Sequence, residues 1–181
     1  MAILNSEDAI MLVIDIQPKL LKAVKDKMLP DYAKKLVKTA NLLEIPVLVT
    51  EQYPNGLGET IEELEALFVP ETKIISKTAF NAMKEENFIK LFESYNKKQV
   101  VIFGIEAHIC VYQTAADLVE RGYDVWFVKD ASASRSEYEF VSGIDLMKQT
   151  GIKVASFESV IFSLLGDSRH PHFKEIQSFV K

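Results

Sequence analysis

The chain has 181 residues, 48% of them hydrophobic and 26% charged, with 21 basic against 26 acidic side chains and a net charge of −5. That balance suits one soluble domain with a full core and excludes a disordered chain. The acidic excess speaks against a nucleic-acid partner and gives no support for binding an anionic membrane surface.

The opening MAILNSEDAI lacks the basic start and long apolar stretch of a secretory signal. The longest apolar run, residues 9–14, falls far short of the roughly 20 residues that span a bilayer. A lone cysteine, Cys110, can form no internal disulfide, so no oxidising compartment is implied and a cytoplasmic protein is expected. The run 9–14 is the first of six short apolar, β-branched segments; the others are 46–49, 73–75, 100–103, 124–128 and 153–156. Between them lie amphipathic helical patterns over 32–43, 61–67, 87–95, 109–121 and 137–149. Gly122 and Gly151 stop two of these, and Ser136 with Glu139 forms a capping box for the last. Repeated βαβ predicts an α/β fold: a Rossmann-like α/β/α sandwich on a six-stranded, mostly parallel sheet of order 3-2-1-4-5-6, one domain over residues 1–181.

Such sheets bind ligands beyond the carboxyl ends of the strands, where the order reverses between the first and fourth. Asp15 follows the first strand, Cys110 lies just past the fourth, and Lys77 follows the third. No G-x-G-x-x-G follows the first strand and no Walker-type loop occurs; the turn Asp15-Ile16-Gln17-Pro18 is acidic and would repel a pyrophosphate. In the opening turn of a helix, Cys110 sits in partial positive charge that favours thiolate, which suits a nucleophile; the plain alternative is a small buried hydrophobe. Asp15 is the natural base for it, or else a turn residue, and Lys77 either steadies the charges or is a solvated loop lysine. The backbone amides of Glu106 and Cys110 are candidates for an oxyanion hole. The Glu106 and His108 side chains read as structural, and His170 and His172, lacking a third ligand, make a poor metal site. Gln52, Tyr53 and Phe80, taken to lie on loops at the same sheet edge, are candidates for the pocket wall.

Asp15-Ile16-Gln17, Lys77-Thr78-Ala79-Phe80 and Gly104-Ile105-Glu106-Ala107-His108-Ile109-Cys110-Val111 resemble the Asp, Lys and Cys motifs of the isochorismatase-like cysteine hydrolases. Thr50-Glu51-Gln52-Tyr53-Pro54, Gln113-Thr114-Ala115, Asp130-Ala131 with Ser134-Arg135-Ser136, and His170-Pro171 with 173–177 are similar to the branch of isochorismatase domain-containing proteins. The resemblance covers essentially the whole chain. It implies a Rossmann-like sheet, an Asp15–Lys77–Cys110 triad, and a cis peptide between Ile105 and Glu106. In amide-cleaving members it also implies an oxyanion hole from the Glu106 and Cys110 amides. The D-x-H metal motif of the family's nicotinamidases is replaced by 50–54 without histidine, so neither a metal nor another cofactor is implied. Members that cleave the isochorismate vinyl ether typically lack the cysteine that is present here.

The expectation is a metal-independent cysteine hydrolase that cleaves an amide C–N bond of a small molecule through a thioester on Cys110. The alternatives are a vinyl-ether hydrolase without a covalent intermediate, a non-catalytic interaction protein retaining the site, and a redox-sensing thiol. A homo-oligomer is expected, with the apolar tail Phe173, Ile176, Phe179 and Val180 covering a neighbour.

Overall fold

A computed structural model describes residues 3–24 and 26–181. In chain order the strands are β1 Ala9–Ile14, β2 Val47–Gln52, β3 Lys73–Lys77, β4 Gln99–Gly104, β5 Asp124–Val128 and β6 Lys153–Ala155. They pair in parallel in the order β3-β2-β1-β4-β5-β6. The helices are α1 Pro18–Val24, α2 Leu29–Leu42, α3 Pro54–Leu57, α4 Glu62–Glu65, α5 Glu86–Ser94, α6 Tyr112–Glu120, α7 Glu137–Gln149, α8 Phe157–Leu165 and α9 Phe173–Ser178. None of the described helices is long and apolar enough to cross a membrane.

The three layers follow from the two-residue period of a strand. In β1, Ala9, Met11 and Val13 face a core shared with α2, α8 and α9, whereas Ile10, Leu12 and Ile14 face one shared with α5, α6 and α7. A strand covered on both faces needs apolar residues throughout, and β1 and β4 are buried along their whole length. The helix Glu137–Gln149 starts where the capping signal places it, with the Ser136 hydroxyl accepting from the Glu139 N–H at 3.2 Å.

Four departures from the sequence reading bear on function. First, β2 and β3 run past 46–49 and 73–75, because the backbone pairs Glu51↔Ser76 and Gln52↔Lys77 continue the ladder under polar side chains. Gln52 and Lys77 therefore sit at strand ends and not in loops. Second, the pattern over 109–121 is a π-helical turn, Ala107–Val111, running into α6. Third, α8 is not among the helices expected from the sequence, although its buried residues Phe157, Val160, Ile161, Leu164 and Leu165 recur at helical spacing. Fourth, the tail folds back on its own domain: Ile176 is fully buried, and Phe173, Phe179 and Val180 pack against the α2 side of the core. Those side chains cover part of their own core, and Phe173, Phe179 and Val180 stay partly exposed.

The reversal point is set by one glycine. Gly104 ends β4 with φ +133°, and a Cβ there would fall 2.0 Å from the Ile14 carbonyl oxygen. With no side chain in the way, Ile105 N–H donates to Ile14 O at 2.9 Å, which draws the ends of β1 and β4 together.

Candidate active site

Asp15, one residue beyond β1, adopts φ 52°, a left-handed conformation that aspartate tolerates better than most residues. Its own N–H donates to Thr50 O at 3.1 Å. The carboxylate is fully buried and both oxygens are engaged. Oδ1 accepts from Thr50 Oγ1 at 2.7 Å, and Oδ2 accepts from Lys77 Nζ at 2.7 Å. Lys77, whose side chain is also fully buried, donates to Gln52 Oε1 at 2.6 Å and faces the Ala79 and Phe80 carbonyls, each at 3.3 Å. An ammonium has three hydrogens, so these acceptors occupy all of them and hold the nitrogen as a fixed positive charge.

Cys110 is buried on the inner side of the π-helical turn. Its thiol lies close enough to Asp15 and Lys77 to feel both charges, so the three side chains that the sequence places far apart converge at one rim of the sheet. Burial pushes the thiol up to about 12, the Asp15 charge adds to that, and the Lys77 charge acts against it. The resting group is therefore a thiol, not the thiolate that a helix N-terminus alone suggests. Desolvation outweighs the dipole at this depth.

The remaining candidates divide. Gln52 holds Lys77 through its side-chain oxygen, while its Nε2 donates to Thr78 O at 2.8 Å. Buried Gln17 in turn fixes Gln52 by accepting from its N–H at 2.8 Å and donating to its carbonyl at 3.1 Å. Tyr53 and Phe80 are more than half exposed and stand at the rim as aromatic surface. A Cβ on Gly56 would fall 2.2 Å from Tyr53 Cε1, so that glycine makes room for the ring. The Ile105–Glu106 peptide is cis, and the Glu106 N–H donates to no backbone carbonyl among the described residues. His170 and His172 lie side by side, with the His172 N–H donating to His170 Nδ1 at 3.2 Å. The described residues contain no cluster of three metal-ligating side chains.

The sequence reading missed two features. Thr50 grips the carboxylate; its signal was a pair of polar residues, Thr50 and Gln52, two apart and so on one face at the end of an apolar strand. The second is the surroundings of Glu106 and His108. Arg135 Nε lies 2.8 Å from Glu106 Oε1, the Arg135 N–H donates to Glu106 Oε2 at 3.2 Å, and His108 Nδ1 lies 2.9 Å from Ser134 Oγ. These partners are 26 to 29 residues apart in the chain, and no local pattern announces them. Behind this loop lies a cavity of about 460 Å³ whose lining includes Tyr32, Lys129, Ser134 and Phe140 but none of the three converging side chains.

The family model described as the isochorismatase domain matches residues 9–159. Isochorismatase domain-containing protein 1 of Salmo salar is 41% identical over 148 residues, covering 82% of this chain and 52% of that protein, so the chain spans about half the length of that curated relative. Among solved structures, the MAR1 ribonuclease of Caenorhabditis elegans superposes with a TM-score of 0.93 at 36% identity, covering 99% of this chain and 92% of that one. The YcaC gene product of Escherichia coli, described as an octameric hydrolase of unknown specificity, gives 0.89 at 28% identity over 98% and 94%. YcaC of Pseudomonas aeruginosa, solved with hexane-2,5-diol and covalent acrylamide, gives 0.87 at 27% over 98% and 97%.

Proposed function

The chain belongs to the isochorismatase family, whose members share a hydrolase fold, and we propose that it is a metal-independent cysteine hydrolase cleaving an amide C–N bond of a small molecule. Asp15 takes the thiol proton as Cys110 Sγ bonds to the substrate carbonyl carbon, and the carbonyl oxygen becomes an oxyanion facing the amides of Glu106 and Cys110. Collapse of this intermediate breaks the C–N bond. The departing nitrogen takes the proton from Asp15 and leaves as ammonia or an amine. Water, deprotonated by the same carboxylate, then adds to the thioester; its collapse releases the acid and returns the proton to sulfur. Lys77 stays against Asp15 throughout, and its positive charge offsets the negative charge that develops on sulfur and oxygen.

One observation carries this reading: a buried thiol set beside a buried carboxylate that a cation 2.7 Å away holds in place. Covalent acrylamide in the Pseudomonas YcaC is in keeping with the nucleophile, since thiols add to the C=C bond of acrylamide. The name ribonuclease on the nematode relative does not transfer, because a chain of net charge −5 repels a polyphosphate. We further propose a single cytoplasmic domain, working as a homo-oligomer as the Escherichia coli YcaC does.

Incubation with a panel of small amides tests the reaction. Release of ammonia or amine, with an acyl adduct on Cys110 seen by intact mass and absent in Cys110→Ala, supports it. Cleavage of isochorismate with no adduct selects the vinyl-ether reading. Folded protein with neither reaction selects the interaction protein.

A further inference from the structure

The Glu106 side chain has no part in the scheme above, yet its carboxylate is nine-tenths buried beside a developing anion. The residue whose amide faces the oxyanion carries, a few bonds away, a negative charge that opposes it. The structure answers that charge. Arg135 closes on it twice, through Nε at 2.8 Å from Oε1 and through its own N–H at 3.2 Å from Oε2. His108 Nδ1 lies 3.7 Å from Oε2 and 2.9 Å from Ser134 Oγ, and His108 Nε2 lies 3.7 Å from Glu139 Oε2. The backbones run together as well: Ala107 N–H donates to Ala133 O at 2.9 Å, and Ala133 N–H to Gly104 O at 3.3 Å. The segments 104–108 and 133–135 are thus stitched through main chain and side chain alike.

We propose that Arg135 is a positioning residue whose ion pair with Glu106 locks the oxyanion-binding segment and cancels the carboxylate charge that would otherwise resist oxyanion formation. The inference rests on the cysteine-hydrolase reading. The exposure of the Arg135 side chain, 61%, makes the cancellation sensitive to salt. Tying the guanidinium to the protein's own carboxylate also separates its role from that of Lys77, which serves sulfur and Asp15.

Two reactions of the same sulfur separate this role from mere structural support. Acylation by 4-nitrophenyl acetate joins sulfur to the acetyl carbon and expels 4-nitrophenol through an oxyanion; alkylation by iodoacetamide joins sulfur to a CH₂ and expels iodide with no oxyanion. In Arg135→Ala the ratio of acylation to alkylation rate is expected to fall about ten- to a hundredfold, to recover partly in high salt, and to return in Glu106→Gln/Arg135→Ala. If both rates fall together, or the ratio stays put, or the double variant is as slow as the single one, the inference is overturned. A 4-nitrophenol burst that persists in Cys110→Ser sinks the nucleophile assignment instead.

Discussion

Replacing Lys77 by methionine tests the buried pair at its root. The ammonium and the Asp15 carboxylate lie 2.7 Å apart with both side chains fully buried. At an effective dielectric of about 20 their gross attraction is about 6 kcal/mol. The cost of burying two ions offsets much of this. Removing one partner, however, leaves the other charge buried with only the Thr50 hydroxyl to answer it, and that costs about 3–5 kcal/mol. With a urea dependence of about 2 kcal/mol per molar, the unfolding midpoint, read from Trp126 fluorescence, should fall by about 2 M. Asp15→Asn in the same chain removes the stranded charge, so the double variant should recover most of that loss while staying inactive. A single variant that loses less than about 1 kcal/mol, or a double variant no better than the single, refutes the reasoning.

Three further outcomes follow from the same geometry. Thr50→Val keeps the shape but deletes the 2.7 Å bond to Asp15, which should cost about 1.5–3 kcal/mol in denaturation and slow acylation of Cys110 by tenfold or more; an unchanged acylation rate excludes Thr50 from the site. Because the folded thiol is pushed up to about 12 from an ordinary value near 9, its contribution to stability is intact below pH 9 and is lost as the pH rises towards 12. The wild-type protein should therefore lose up to about 1.4 kcal/mol per pH unit relative to Cys110→Ser across that window. Iodoacetamide labelling should show its midpoint well above pH 9, and lower in Asp15→Asn, where the charge that raises the thiol is gone. Gly104→Ala places a Cβ 2.0 Å from Ile14 O at φ +133°, so unfolding measurements should show a loss of at least about 3 kcal/mol.

The fold was legible because β1, β4 and β5 are continuous apolar runs of the kind a parallel sheet buries on both faces, and the Gly and capping signals between them are local. Strand ends were harder to read. The ladder continues under Thr50, Gln52 and Lys77 although their side chains are polar, and those polar residues are the ones that build the site. Asp15, Lys77 and Cys110 could be singled out because each is reactive and lies near a strand's carboxyl end. Whether Cys110 rests as thiol or thiolate could not be read, because burial depth belongs to the tertiary structure and here overrides the helix-start position. The Glu106–Arg135 pair was out of reach for the same reason: it joins two loops brought together only by the sheet.

Strand β3 has a hydrogen-bonded neighbour on one side only, and most of its side chains face solvent. Its last residue reaches over the end of β2 to the carboxylate beyond β1, so Lys77 fastens the margin of the sheet as well as serving the chemistry. Fraying at that border withdraws the cation from Asp15 in the same motion. Heat or denaturant should therefore silence the protein before it melts it, with amide exchange in residues 73–77 quickening as turnover fades.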